Sequence, residues 1–593
     1  MVQKINNETA KRLLIGCLFI IFFLYFGVFN RYHILYLEQN QLFLYNLDFI
    51  KEQFLLPGGL SLYIGSFFTQ FFISSWIGAF IFTLNAFAVF ILSDFIYKKH
   101  NLKNIIPALV PVWLLAILQS NELFIFSQSV GFLLLVSFFA LYISINKFTL
   151  RYIFYFVGWP FFYLLTGGFS VPAVLLCALH ELLFRKQKYH RIIFVLFIIT
   201  GVLVPYVSSQ IIFYIPSNII FTYPILFKLH SYSLYALILL LVWNPLLLLV
   251  NYFLNKINSI NSMLLPWNLT NMLASTFIFA FMGFGVYKYA YNKRAEIMLG
   301  IDHHVQRAEW EKVLKLSDRY PDLNRLVIYY TNLALYKTGC MSNKMFSYPQ
   351  IGVNGLRLRW EPNSSSFFGG EIFYYLSYTN EAYRWAFEAL VAKGLNPRSL
   401  KRLVITSITN GDSAIAKKYI YQLNQTLFYR KWAQHYNTYL SDPELAEKDL
   451  EISRNRALLI HSDFFSNANS MNLDDLLFNH PENKMAYEYL MASLLLEKNL
   501  DEFARIILKI KDYGYIKIPA HFEEALLFYN SYENKNIMPQ GFSFRAETVR
   551  SFQDYATTYN TYANNRAAAA KELKKKYGKT YWYYLQFNNN IQK

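Results

Sequence analysis

Ionisable side chains are sparse in the first half of the chain, so the few that interrupt its apolar runs are the first candidates for chemistry. Glu38 stands in Tyr36-Leu37-Glu38-Gln39-Asn40-Gln41-Leu42-Phe43, polar at intervals and aromatic between, where helical spacing puts it on one wet face with Gln41. Asp48 and Glu52 share a face further along, with Lys51 between them, and Glu122 sits in the loop Ser120-Asn121-Glu122. Loop acids are ordinarily exposed, so a solvated carboxylate at a helix end is the plain expectation for each. His180 and Glu181 fall inside an apolar run, where ionisable groups are costly and can pass protons. Their place near the end of that run, beside Arg185, favours snorkelling to the interface, and Asp94 beside Lys98 and Lys99 reads the same way.

The elements that must position these residues are membrane helices. The 593 residues are 55% apolar, 19% aromatic and only 16% charged, an average over one strongly hydrophobic half and one ordinary half. Apolar runs near 12–29, 76–97, 105–119, 124–145, 152–166, 169–184, 192–214, 234–254 and 271–291 predict nine spans by the measure of roughly 20 apolar residues per crossing. Lys4, Lys11 and Arg12 precede the first run without a small-residue cleavage site after it, which predicts a retained helix. Lys98, Lys99, Lys103, Lys147, Arg151, Arg185, Lys186, Lys188 and Arg191 lie in alternate loops and place those loops in the cytoplasm. An odd span count then puts the amino terminus inside and the carboxy-terminal half outside. The expected division is a membrane domain over 1–294, with a long external loop over 30–75, and a soluble domain over 295–593.

The formal charge of +18 resides in good part in loops flanking the runs, which argues for anionic lipid and against nucleic acid. Cys17, Cys177 and Cys340 are too far apart for a disulfide framework or a zinc site. No phosphate-binding glycine loop, zinc-protease helix or serine-nucleophile elbow is present.

After Arg294 the apolar period becomes that of amphipathic helices joined by short turns. Asn396-Pro397 opens a helix, Gly411-Asp412 closes it, and Ala414, Ala416, Ile420 and Leu423 line the next; Met485 to Leu508 repeats the pattern around Lys498-Asn499. A weaker copy runs through Tyr330, Leu333, Leu335 and Gly339, with Lys344 in place of the small residue. These units resemble tetratricopeptide hairpins, so the fold class is all-α, a polytopic bundle followed by a helical-repeat domain that binds partners. Tyr429, Trp432 and Tyr436 are expected in its core, and Arg566 to Lys576 as a basic surface helix.

The order of parts is similar to that of GT-C glycosyltransferases, which take sugars from polyprenyl-phosphate donors. That resemblance implies an acid in the first external loop acting as base or metal ligand towards the acceptor, with a second acid in the next external loop. Here those are Glu38 or Asp48, with Glu122, and a divalent metal is the cofactor such an enzyme could use. The alternatives are a cell-envelope scaffold whose repeats bind protein, and a transporter, which helices broken near Pro107, Pro160 and Pro205 would suit. Glu38 to Phe43, Pro57-Gly58-Gly59, Asn332-Leu333-Ala334-Leu335, Asn396 to Leu403, Tyr429 with Trp432-Ala433, and Pro519 to Leu526 also resemble an uncharacterised membrane-protein family of Bacteroidota. That likeness implies architecture and a cell-envelope location only and supplies no activity; the expected setting is a bacterial inner membrane crossed many times.

Overall fold

A computed structural model of the protein describes residues 7–102, 105–185, 189–216, 218–225, 229, 231–256, 269–361, 365–460, 471–562 and 564–588. Lys4, Lys103, Lys186 and Lys188 lie outside them. Among the described residues every regular element is helical. The chain divides into two compact units, Met1–Glu296 with Gln425–Phe428, and Ile297–Asn424 with Tyr429–Lys593.

Among the described residues of the first unit six apolar stretches are long enough to cross a membrane, rather than nine: Arg12–Phe29, Ser75–Lys99, Phe126–Ser144, Phe148–Arg185, His190–Ile211 and Tyr232–Phe253. The expected span over 105–119 is a helix of 14 residues, Ile106–Gln119, about 21 Å long, which is short of a bilayer core. The expected span over 271–291 coincides with the helix Leu269–Ala290, whose side chains at 269–276 and 278–280 lie outside the described residues. The two runs over 152–166 and 169–184 form one apolar stretch of 38 residues. That stretch folds back on itself: Arg151 near its start lies 2.6 Å from Glu181 near its end, whereas a continuous helix would hold them roughly 45 Å apart.

The reversal falls at Gly167, and it brings three chain segments into backbone contact. The amide of Gly58 donates to the Leu164 carbonyl at 3.2 Å, and that of Gly168 to the Tyr223 carbonyl at 2.7 Å. Gln128 Nε2 donates to the Pro224 carbonyl at 2.7 Å. Gly58 and Gly167 have φ of +92° and +59°, and a Cβ on Gly58 would lie 2.6 Å from Pro224 Cδ. A left-handed backbone and a rigid proline ring both exclude a side chain there. Between the two ends of this unit, Phe26, Phe72, Phe82 and Phe126 interlock with centroids 5.0–5.7 Å apart. Such packing matters because lipid gives apolar helices no reason of their own to associate.

The second unit is a succession of helices, several of them paired across short turns. Pro397–Asn410 and Ser413–Asn424 form a hairpin around Gly411, with Ala416, Ile420 and Leu423 buried and Ala414, expected on the same face, exposed. Lys484–Glu497 and Leu500–Ile506 form another around Lys498, with Phe503, Ala504 and Ile507 buried. In the third, Arg325–Lys337 is followed by a helix of only 4 residues, Met341–Lys344. Tyr429 is buried, whereas Trp432 and Tyr436 are half-buried and stack on each other at 4.2 Å.

Gly58→Ala should destabilise the purified protein by about 1–2 kcal/mol for the left-handed backbone plus about 1–3 kcal/mol for overpacking. Gly16→Ala, where a Cβ meets open space, should be neutral or stabilising. Thermal unfolding in nanodiscs measures both.

Candidate functional site

Of the three acids, Glu38 alone is withdrawn from water. It is 3% exposed, near the end of the helix Arg31–Gln39, with Tyr32, His33, Ile34 and Leu37 buried beside it. Gln39 Nε2 donates to its Oε2. The shared wet face with Gln41 does not form. The helix stops at Gln39 because Asn40 Nδ2 donates to the Tyr36 carbonyl at 2.9 Å, and Leu42, Phe43 and Leu44 then turn inward. Asp48 lies on the short helix Leu47–Gln53, exposed and 3.4 Å from Lys51, and Glu52 is exposed beside it. Glu122 is also exposed.

The helix bearing Glu38 is held at its start by residues remote in sequence. The amide of Tyr32 donates to Glu296 Oε1 at 2.7 Å and that of His33 to Oε2 at 3.1 Å, so a carboxylate meets the positive end of the helix. Burial nonetheless raises Glu296 to about 7, against the two amides and Arg31. His33 is bonded to the backbone of Gln119 and is held down at about 4 by burial. That bond brings the helix beside the chain that leads into the Glu122 loop. Among the described residues no three His, Cys, Asp or Glu side chains are grouped to hold a metal ion. The residues present therefore do not fit the divalent metal that the glycosyltransferase likeness implies, and no step is routed through one.

A second polar cluster lies within the apolar unit, where His180 and Glu181 do not snorkel. They are 5% and 0% exposed. Glu181 Oε1 accepts from Arg151 Nε at 2.6 Å and from Tyr142 OH at 2.8 Å; Oε2 accepts from Arg151 Nη2 and Tyr152 OH, each at 3.2 Å. The pair is neutral as a unit and its oxygens are hydrogen-bonded, which is what permits burial. His180 Nδ1 lies 2.9 Å from His100 Nε2, and His100 Nδ1 lies 2.7 Å from the Ile96 carbonyl. The carbonyl can only accept, so His100 donates from Nδ1, accepts at Nε2 from His180, and His180 Nε2 accepts from Arg185 at 3.3 Å. The chain of donors thus runs one way, from Arg185 to Ile96. Asp94 pairs with Lys98 at 2.5 Å, at the edge of the cluster.

In the second unit the motif residues are spent on internal bonds. Arg398 Nη1 donates to both oxygens of Asp302 at 2.9 Å, and Nη2 to Tyr330 OH at 3.1 Å. Arg402 donates to Glu371 at 2.6 Å and lies 3.6 Å from the Tyr374 ring centre. Burial pushes Glu371 up, but Arg402 and Arg398 outweigh it and leave its carboxyl below the usual range. Asn332 bonds reciprocally with Gln350 at 3.1 Å, and His521 lies 3.0 Å from Glu524, whose Oε2 also accepts from the Tyr581 amide. Lys337, which nothing in the sequence singles out, is lowered to about 8 by burial and by Arg454, and stands 3.7 Å from the Tyr375 ring centre.

Glu181→Leu leaves Arg151 buried and unpaired and should cost about 3–5 kcal/mol, whereas Arg151→Met with Glu181→Leu should recover most of that loss. Thermal unfolding in nanodiscs separates the outcomes; a double variant as unstable as the single one contradicts the pairing.

No curated protein and no solved structure matches the chain. One family pattern does, over residues 6–588. Since that match covers nearly the whole length, the chain belongs to a family of unknown function, DUF6057.

Proposed function

We propose that the protein is a membrane transferase of the GT-C type, moving a sugar from a polyprenyl-phosphate donor to a hydroxyl acceptor with Glu38 as the base. The observation that carries this reading is the placement of Glu38. It is an acid 3% exposed, on a helix between the first two candidate spans, and that helix is fixed at its start by Glu296 and His33. In the proposed reaction the carboxylate takes the acceptor proton, the acceptor oxygen bonds to the anomeric carbon, and the bond to the lipid phosphate breaks as the leaving group departs. Asp48 and Glu122, both exposed, belong to the entrance rather than to the reacting centre.

The setting we propose is a bacterial inner membrane, with the amino terminus in the cytoplasm and the second unit outside, an arrangement in which Ile106–Gln119, each arm of the doubled-back stretch Phe148–Arg185 and Leu269–Ala290 pass the membrane beside the other five candidate spans. The pairing of helix ends supports it. Tyr142 and Glu181 meet, as do His100 and His180, so the helix ends bearing Lys98, Lys99, Arg151 and Arg185 gather at one end of the first unit. The second unit serves as a repeat-like platform for acceptor or partner. An open groove of about 660 Å³ bordered by Arg357, Asp474, Asp475, Glu497 and Glu502 suits that role.

In a host lacking the protein, Glu38→Gln should fail to restore whatever envelope glycan the deletion removes, with a rate loss on the order of 100- to 10,000-fold. Asp48→Asn should restore it. Full restoration by Glu38→Gln, at equal protein level in the membrane, removes the base from the scheme. Protease added to intact spheroplasts should digest the second unit; its survival until lysis would reverse the proposed sidedness.

A further inference from the structure

The helix Arg31–Gln39 has two residues able to cap its start. Asn30 occupies the N-cap position, and asparagine there ordinarily accepts from the second or third amide of the helix. Those amides belong to Tyr32 and His33, and both are taken by Glu296 instead, at 2.7 and 3.1 Å. Asn30 makes no capping bond although the residue is only 3% exposed, and its side chain lies against Tyr25 instead. One acceptor is thus charged and 264 residues away, while the other is neutral and local.

We infer that these are alternative caps, and that proton uptake by Glu296 transfers the helix start from Glu296 to Asn30. A carboxylate accepts at both oxygens; a carboxyl converts one of them into a donor, so one amide needs another acceptor, and Asn30 holds the N-cap position from which a side chain can supply it. The exchange is set near neutral pH because burial holds Glu296 at about 7. The groups facing it are Arg31 and His33 on the helix itself, Tyr25 before it, and Tyr291 with Tyr287 stacked beside it. His33, at about 4, stays neutral through this window. The sign follows: above about pH 7 the carboxylate caps and ties the helix to the segment starting at Lys293, and below it Asn30 caps and the tie loosens. The inference does not depend on a catalytic role for Glu38, although it gives that helix a pH-sensitive anchor.

Hydrogen exchange of the full chain in nanodiscs, corrected for intrinsic rates, tests it at the Tyr32 and His33 amides. Asn30→Ala should leave exchange unchanged at pH 8 and speed it on the order of fivefold at pH 6, the worth of one cap. Adding Glu296→Gln should make exchange fast at both pH values. If Asn30→Ala matches the unmodified protein at both pH values, or is equally fast at both with Glu296 intact, the exchange of caps is overturned.

Discussion

The ion pair between Arg151 and Glu181 is the interaction on which the first unit depends. Neither side chain reaches water, being 1% and 0% exposed, and a lone charge at such a depth would carry a penalty of several kcal/mol. Pairing removes that penalty only if the stretch Phe148–Arg185 doubles back, so the bond decides the chain path. Tyr142 and Tyr152 supply the remaining donors and bring in the preceding helix, and His180, next in the chain, joins His100 at the end of Ser75–Lys99. At the other end of the hairpin the same reversal needs backbone against backbone, which Gly58, Gly167 and Gly168 allow.

The second unit solves a related problem by different means. Helices such as Ser413–Asn424 bury one face and expose the other, so ordinary amphipathic burial supplies most of the drive. Register is then specified by buried polar bonds between non-adjacent helices. Asp302, Tyr330 and Arg398 come from three separate helices, as do Gln306, Glu371 and Arg402. A helix displaced by one residue would strand a charge in each set, so such networks favour a single arrangement. The motif stretches therefore have a structural account: Arg398 and Arg402 lie in one of them, Asn332 in another, His521 and Glu524 in a third.

Much of the fold was legible from periodicity. The hairpin over Pro397–Asn424, with its turn at Gly411 and its buried Ala416, Ile420 and Leu423, is where proline, glycine and apolar spacing placed it. The number of spans was not legible, because a run of apolar residues records length and not direction, and Ile106–Gln119 is apolar yet short. At the candidate site, residue type picked out Glu38 but could not tell it from Asp48 or Glu122. All three are loop acids in sequence, and only packing withdraws Glu38 from water. Glu296, which holds the start of that helix, carries no local signal, since its partners are more than 260 residues earlier.

Sequence by itself determined what is local: an apolar half and an amphipathic half, helices throughout, and the absence of a disulfide framework, because each follows from the transfer energy and spacing of neighbouring residues. Tertiary structure decided everything that depends on a partner's position. His180 and Glu181 read as residues reaching for the interface, and they are buried because Arg151 and His100 meet them. The start of the helix Arg31–Gln39 is held by Glu296, remote in the sequence, and not by the adjacent Asn30. In each case a polar group goes where its charge or hydrogen bond is best satisfied, and that place exists only once the chain has folded.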